Sequence, residues 1–159
     1  RPHIGAITFL PDGTTSVYCK QYLHAGEEVF AAPGKIGALS HPLGTESYSL
    51  AICADTAHAH HASAAAASGA SLYLASVLVS EAGYAADAAN LQRYAARHRL
   101  GVLMANHGGP SGAYLSAGRS AFWSPDGEQV VAAPGVGNCL VIVTGRGGDW
   151  QGEAVIVAA

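Results

Sequence analysis

The run Ser49-Leu50-Ala51-Ile52-Cys53-Ala54-Asp55 decides the reading of the fold. Its apolar stretch stops on a cysteine, and an alanine-rich segment, Thr56 to Ser68, follows. A short apolar run bounded in this way reads as a buried strand, Ser47 to Cys53, feeding a helix. A cysteine at such a junction presents its sulfur at a helix N-terminus, where the helix dipole favours the thiolate. This is also the geometry of a strand-to-helix nucleophile turn. Free cysteine is among the most buried residue types, so a core role and a nucleophilic one are both open for Cys53.

Working outward, Gly69 suits the C-terminal cap of the alanine-rich helix, and Ser71 to Val79 returns as a strand. Ala85 to Leu100 reads as a second helix with Leu91, Tyr94 and Ala95 on one face. Gly101 to Ala105 is a strand ending at Asn106. Strand, helix, strand, helix, strand predicts a mixed α/β sheet. Upstream, Ile4 to Leu10 and Thr14 to Cys19 flank the turn signal Pro11-Asp12-Gly13, a hairpin that ends on Lys20. Gln21 to Gly44 is a loop too long to be idle in a compact domain. Downstream, Tyr114 to Trp123 and Glu128 to Ala133 flank Pro125-Asp126-Gly127 as another hairpin. Leu140 to Thr144 and Glu153 to Val157 complete the strands.

The chain has 159 residues, which makes one domain the expectation. Half of the residues are hydrophobic and 12% are charged, enough apolar material for a large core. Net charge is −3 and no basic run tracks a phosphate backbone, which argues against nucleic acid as a partner. Three cysteines make no disulfide framework and suit a reducing, cytoplasmic setting. Arg1-Pro2-His3-Ile4 lacks a signal-peptide pattern and reads like the interior of something longer. Ala62 to Val79 is uncharged but only weakly apolar and interrupted by Gly69, so a membrane span is not expected.

Lys20 follows an apolar strand and precedes the long loop, from where its charge can stabilise the oxyanion formed when a thiolate attacks a carbonyl. Glu27 and Glu28 read either as a solvated pair or as a partner orienting Lys20. In His58-Ala59-His60-His61, His58 and His61 share a helix face, but zinc needs three or four ligands and no acidic residue completes a set. These histidines therefore read as lying near the active-site helix or on its surface, with no metal and no cofactor expected. Cys19 and Cys139 read as core. Asn106-His107-Gly108-Gly109 follows a strand end and is placed to line a pocket, as α/β folds bind ligands at strand C-terminal ends. Tyr84 and Tyr114, with Glu28, Asn106 and His107, complete the pocket candidates. Few charges lie nearby, which suits a small neutral or weakly polar substrate.

The order of these motifs resembles the C-terminal part of a carbon–nitrogen hydrolase of the nitrilase superfamily. The residues that carry it are Tyr18, Lys20, Leu23, Gly26-Glu27, Phe30 and Pro33-Gly34, then Ile52-Cys53-Ala54-Asp55 and Gly69-Ala70. Ala105-Asn106, Gly118-Arg119-Ser120 and Pro125-Asp126-Gly127 follow in the same order. The resemblance implies a four-layer α-β-β-α sandwich, incomplete at the N-terminus, with residues 1–159 forming the C-terminal part of a single domain. It implies Cys53 as the nucleophile of a thioester acyl-enzyme and Lys20 with the Ala54 backbone N–H as the oxyanion holders. Glu27, or Glu28 in its place, corresponds to the supporting second glutamate. A small amide or nitrile substrate and a homodimer or larger homo-oligomer are implied as well.

The chain departs from the family pattern in several places. The family's triad glutamate belongs to a region upstream of anything matched here, and Asp12 is the single acidic residue before Lys20. The aromatic usual after the nucleophile is Ala54, the following Phe-Pro-Glu is His58-Ala59-His60, and the Glu-Asn of the second helix is Arg97-His98. These departures define the alternative, a non-catalytic nitrilase-like homologue or fragment that acts as a binding or assembly module. Acyl transfer to an amine is a third reading, because it shares the thioester step with hydrolysis.

Overall fold

A computed structural model describes residues 1–37, 40–146 and 148–158. Its elements are β1 (Gly5–Phe9), β2 (Thr15–Cys19), β3 (His41–Leu43), β4 (Glu46–Ile52), α1 (Ala59–Ala67), β5 (Leu72–Val77), α2 (Glu81–His98) and β6 (Gly101–Asn106). Then come β7 (Pro110–Ser111), β8 (Tyr114–Leu115), β9 (Ala121–Trp123), β10 (Gln129–Ala132), β11 (Cys139–Arg146) and β12 (Asp149–Ile156). Among the described residues the main sheet has six strands in the order β10-β9-β6-β5-β4-β3. Its centre, β4-β5-β6, is parallel, joined by crossovers through α1 and α2. Both flanks are antiparallel. The expected strand–helix alternation is thus the one that builds the sheet.

The sheet period explains which residues meet the helices. Ala51, Ala75 and Met104 are register partners on one face, as are Tyr73, Val102 and Trp123. All are buried, with Ala62 and Ala65 of α1 and Leu91, Tyr94 and Ala95 of α2 packed over them in one core. The alanine-rich face of α1 lets that helix approach the large ring of Tyr73. On the opposite face Leu50, Leu74 and Leu103 are half-buried, and Phe122 is covered by Trp150 of the β11–β12 hairpin at 5.0 Å between ring centroids.

Two caps set the helix ends. Gly69, at φ +87°, ends α1 in a Schellman motif: its N–H donates to the Ala66 carbonyl, and that of Ala70 to the Ala65 carbonyl. Ser80 opens α2, its hydroxyl accepting from the Gly83 N–H. The helix therefore begins four residues before the expected Ala85. Gly118, at φ +61°, faces the Gly135 carbonyl so closely that no Cβ fits. This bend divides the expected strand Tyr114–Trp123 into β8 and β9. The expected strands after Leu140 form one longer hairpin, β11–β12, and of the glycine run at its turn Gly147 lies outside the described residues. Cys19 and Cys139 are half-buried rather than core residues, because each ends or begins a two-stranded hairpin outside the main sheet.

Candidate active site

The end of β4 does not pass directly into an α-helix. Cys53 opens a five-residue 3-10 turn, Cys53–Ala57, and α1 starts only at Ala59. The expected helix from Thr56 is thus two pieces. Cys53 itself is half-buried at φ +46°. For a non-glycine residue this left-handed conformation costs roughly 1–2 kcal/mol and persists only where surrounding bonds enforce it.

Asp55 supplies those bonds. It is fully buried, and its carboxylate accepts four hydrogen bonds. Oδ2 accepts from the Ile52 N–H at 2.9 Å, which ties the turn back onto the end of β4. Oδ1 accepts from the N–H groups of Gln21 and Tyr22 at 3.0 and 2.9 Å. Those two residues directly follow Lys20, so one carboxylate joins the end of β2 to the turn that carries Cys53. The Tyr18 hydroxyl donates the fourth bond, to Oδ2 at 2.7 Å. Thr56 Oγ1 donates to the Cys53 carbonyl at 2.8 Å and braces the turn from inside.

Lys20 is 1% exposed, an unusual burial for a lysine. Its Nζ donates to both carboxylate oxygens of Glu27, at 2.8 and 2.6 Å. Glu27 comes within reach because the long loop is not featureless: Glu27–Val29 is a 3-10 turn, and the His24 N–H donates to Glu27 Oε2 at 2.7 Å. Partial burial works to raise the Glu27 carboxyl pKa. The hydrogen bonds from Lys20 and the His24 N–H, together with the Lys20 charge, outweigh it and hold the group below the usual carboxylate range. With the folded value below the unfolded one, the pair's contribution to stability is complete above the ordinary glutamate range. It is lost as pH falls through the folded value.

Glu28 points elsewhere. It is exposed, and its carboxylate accepts from the Gly26 N–H at 2.7 Å. Ala54 is half-buried in the 3-10 turn directly after Cys53. Asn106 is buried and braces backbone: its Oδ1 accepts from the Val79 N–H, while its Nδ2 donates to the Val79 and Gly118 carbonyls. With His107 and Arg119 it lines a cavity of about 410 Å³ at the C-terminal end of β6. His107 is exposed, with Nε2 3.4 Å from the Pro110 carbonyl, and Tyr114 is exposed on β8. Tyr84 is half-buried on α2 and donates to the Arg119 carbonyl at 2.8 Å. Asp55 thus ties the segment that carries Lys20 and its partner Glu27 to the turn that carries Cys53, and the pocket candidates lie along the neighbouring strand end and α2.

In the histidine tract His58 and His60 are exposed, as the surface reading has them, and only His61 departs from it. His61 is 2% exposed, with Nε2 2.8 Å from the Tyr18 hydroxyl and Nδ1 2.8 Å from that of Tyr73. His58 stacks on Tyr22 at 3.8 Å between ring centroids. Sequence spacing gave no signal for either, since their partners lie on other strands and loops. Among the described residues no group of three or more His, Cys, Asp or Glu side chains is placed to hold a metal ion. No helix among them is long and apolar enough to cross a membrane.

Neither family models nor curated proteins match the chain. Solved structures do. An amidase from Nesterenkonia sp. AN1 superposes with a TM-score of 0.68 at 27% identity, over 76% of this chain and 48% of that one. A glutamate-to-glutamine mutant of the same amidase has been solved with the acetamide moiety of fluoroacetamide added covalently at its active-site cysteine (TM-score 0.69, 27% identity, 78% and 48% coverage). A carbon–nitrogen hydrolase from Helicobacter pylori G27 superposes with a TM-score of 0.72 at 23% identity, over 82% of this chain and 52% of that one, and speaks for the fold alone. The chain therefore spans about half the length of these solved proteins. With its parallel β4-β5-β6 centre and its ordered Lys and Cys motifs, the chain is similar in structure to an amidase of the nitrilase superfamily, and it shares the fold of a carbon–nitrogen hydrolase.

Proposed function

We propose that the chain carries the nucleophile and the oxyanion-stabilising lysine of an amidase acting on a small amide. The observation behind this reading is the joining of two elements by one buried carboxylate. Asp55 bonds the backbone after Lys20 and the backbone before Cys53, and Cys53 is held in a left-handed turn at a parallel-strand end. The Cys53 thiolate attacks the amide carbon and forms a C–S bond. The carbonyl oxygen takes the negative charge and is met by Lys20 and the Ala54 N–H. Collapse breaks the C–N bond, and the leaving amine takes up from solvent a proton equivalent to the one Cys53 lost on ionising. Water then attacks the thioester, releasing the acid and restoring the thiol. Glu27 holds the Lys20 ammonium in place, and its negative charge balances a cation that would otherwise be buried alone.

Lys20→Gln tests the electrostatic part of this account. Loss of a donor that acts on developing negative charge is expected to lower kcat by about 10²–10³-fold with KM little changed. The check is steady-state kinetics on short aliphatic amides with the intact enzyme. A variant with wild-type kcat would remove Lys20 from the mechanism. No turnover of any amide by the wild-type enzyme, with Cys53 unreactive, would leave the binding or assembly module as the reading.

A further inference from the structure

Four polar side chains, three buried and Tyr18 half-buried, form a line behind the proposed site. Asp55 Oδ2 is 2.7 Å from the Tyr18 hydroxyl, Tyr18 is 2.8 Å from His61 Nε2, and His61 Nδ1 is 2.8 Å from the Tyr73 hydroxyl. Tyr73 and Asp55 are fully buried, and His61 is 2% exposed. The protons in this line can be placed by elimination. An ionised carboxylate only accepts, so the Tyr18 hydroxyl donates to Asp55. Its single proton is then spent, and toward His61 the Tyr18 oxygen accepts. Nε2 must carry hydrogen. In a neutral ring Nδ1 is then bare, and the Tyr73 hydroxyl donates to it. Every donor is used once, and each points toward Asp55.

We propose that His61 is a positioning residue for the Cys53 and Lys20 site. It acts as a neutral Nε2–H tautomer that completes the one-way relay from Tyr73 through Tyr18 to Asp55. The proposal rests on the reading of Cys53 as nucleophile. Asp55 is the group that holds the Cys53 turn against the end of β2, and its Oδ2 is shared between Tyr18 and the Ile52 N–H. The relay fixes where that oxygen sits. A second proton on His61 would place N–H on Nδ1, facing the Tyr73 hydroxyl. Tyr73 would have to turn its own proton away into a fully buried space, leaving a donor without an acceptor.

The surroundings of His61 favour the neutral form. Burial is the main influence and lowers its pKa; Asp55 opposes it, while His58 and His60 lower it further. The groups facing it are Tyr18 on β2, Tyr73 on β5, Tyr22 in the following loop, edge-on at 6.3 Å, and Asp55 and His58 from the preceding turn. Both partner phenols are held well above the ordinary tyrosine range, by burial first and by Asp55 with it, so they stay protonated donors. With the folded pKa of His61 below the unfolded value of about 6.5, the relay is complete above that value and is lost as pH falls through the folded one.

The test is the rate of Cys53 alkylation by iodoacetamide between about pH 5 and 8, read by peptide mass, with imidazole nitrogen shifts of His61 recorded alongside. Wild type is expected to show two steps, the loss of reactivity that any thiol shows as pH falls and a further fall below about pH 6.5, with His61 as the Nε2–H tautomer at neutral pH. His61→Gln still donates to Tyr18 and accepts from Tyr73 but does not titrate. It is expected to lose about two- to threefold at neutral pH and to show a single step. His61→Leu is expected to lose about tenfold, with partial rescue by His61→Gln marking a positioning role rather than bulk packing. Superposable pH profiles of wild type and His61→Gln, or an Nδ1–H or charged His61 at pH 7, would overturn the proposal. An unreactive Cys53 at all pH values with the expected His61 tautomer would instead count against Cys53 as nucleophile.

Discussion

Cys53→Ala is expected to lower amide turnover by at least about four orders of magnitude while leaving the melting temperature within a few degrees of wild type. No other group in the cluster can take over the covalent step. Lys20 is paired with Glu27, and Asp55 has all four of its accepted bonds committed to structure. Alanine removes the sulfur without enlarging a sealed core, since Cys53 is only half-buried. The left-handed backbone at this position is as awkward for alanine as for cysteine, so folding energy changes little. Steady-state assay and thermal melting on the same sample separate the two effects. Wild-type turnover in the folded variant would end the thioester account.

Asp55→Ala is the second large effect, and its origin is structural. Removing this carboxylate strands the N–H groups of Gln21, Tyr22 and Ile52 and the Tyr18 hydroxyl in a region where water does not reach Asp55 itself. Leaving buried donors without acceptors costs about 3–5 kcal/mol for a group of this kind. For a chain of this size that corresponds to a fall of roughly 10 °C in Tm. Asp55→Asn should fall between, since one amide oxygen still accepts but the NH2 group faces donors. A melting temperature unchanged in Asp55→Ala would show that the carboxylate does not hold the two elements together.

Much of the fold could be read along the chain because its signals are local. The β1–β2 hairpin follows from Pro11-Asp12-Gly13, where Asp12 accepts from the Thr14 N–H, and the end of α1 follows from Gly69. The early start of α2 was hidden because its cap, Ser80, is followed within three residues by Gly83, which lowers helix propensity. The division of Tyr114–Trp123 was hidden because it depends on Gly118 lying against the Gly135 carbonyl, a contact between distant residues. At the site, Cys53 and Lys20 stood out by residue type and context. The choice between Glu27 and Glu28 did not, because it depends on a 3-10 turn that carries one toward Lys20 and the other toward Gly26. Asp55 was visible as part of a motif, but its four partners lie on two separate segments. The burial of His61 is not legible in the sequence, because both of its partners are tyrosines on strands outside its own helix.

The chain contains its own controls for the central claim, since Cys19, Cys53 and Cys139 are all free and all half-buried. Fluoroacetamide is a weak electrophile that needs an activated thiolate, and it marks the active-site cysteine in the glutamate-to-glutamine mutant of the Nesterenkonia amidase. Incubation of the intact protein with this reagent, followed by peptide mass mapping, is therefore the most direct measurement. The account predicts a single acetamide moiety on Cys53, diminished in Lys20→Gln, with Cys19 and Cys139 unmodified. Modification of Cys19 or Cys139 with Cys53 untouched would contradict it.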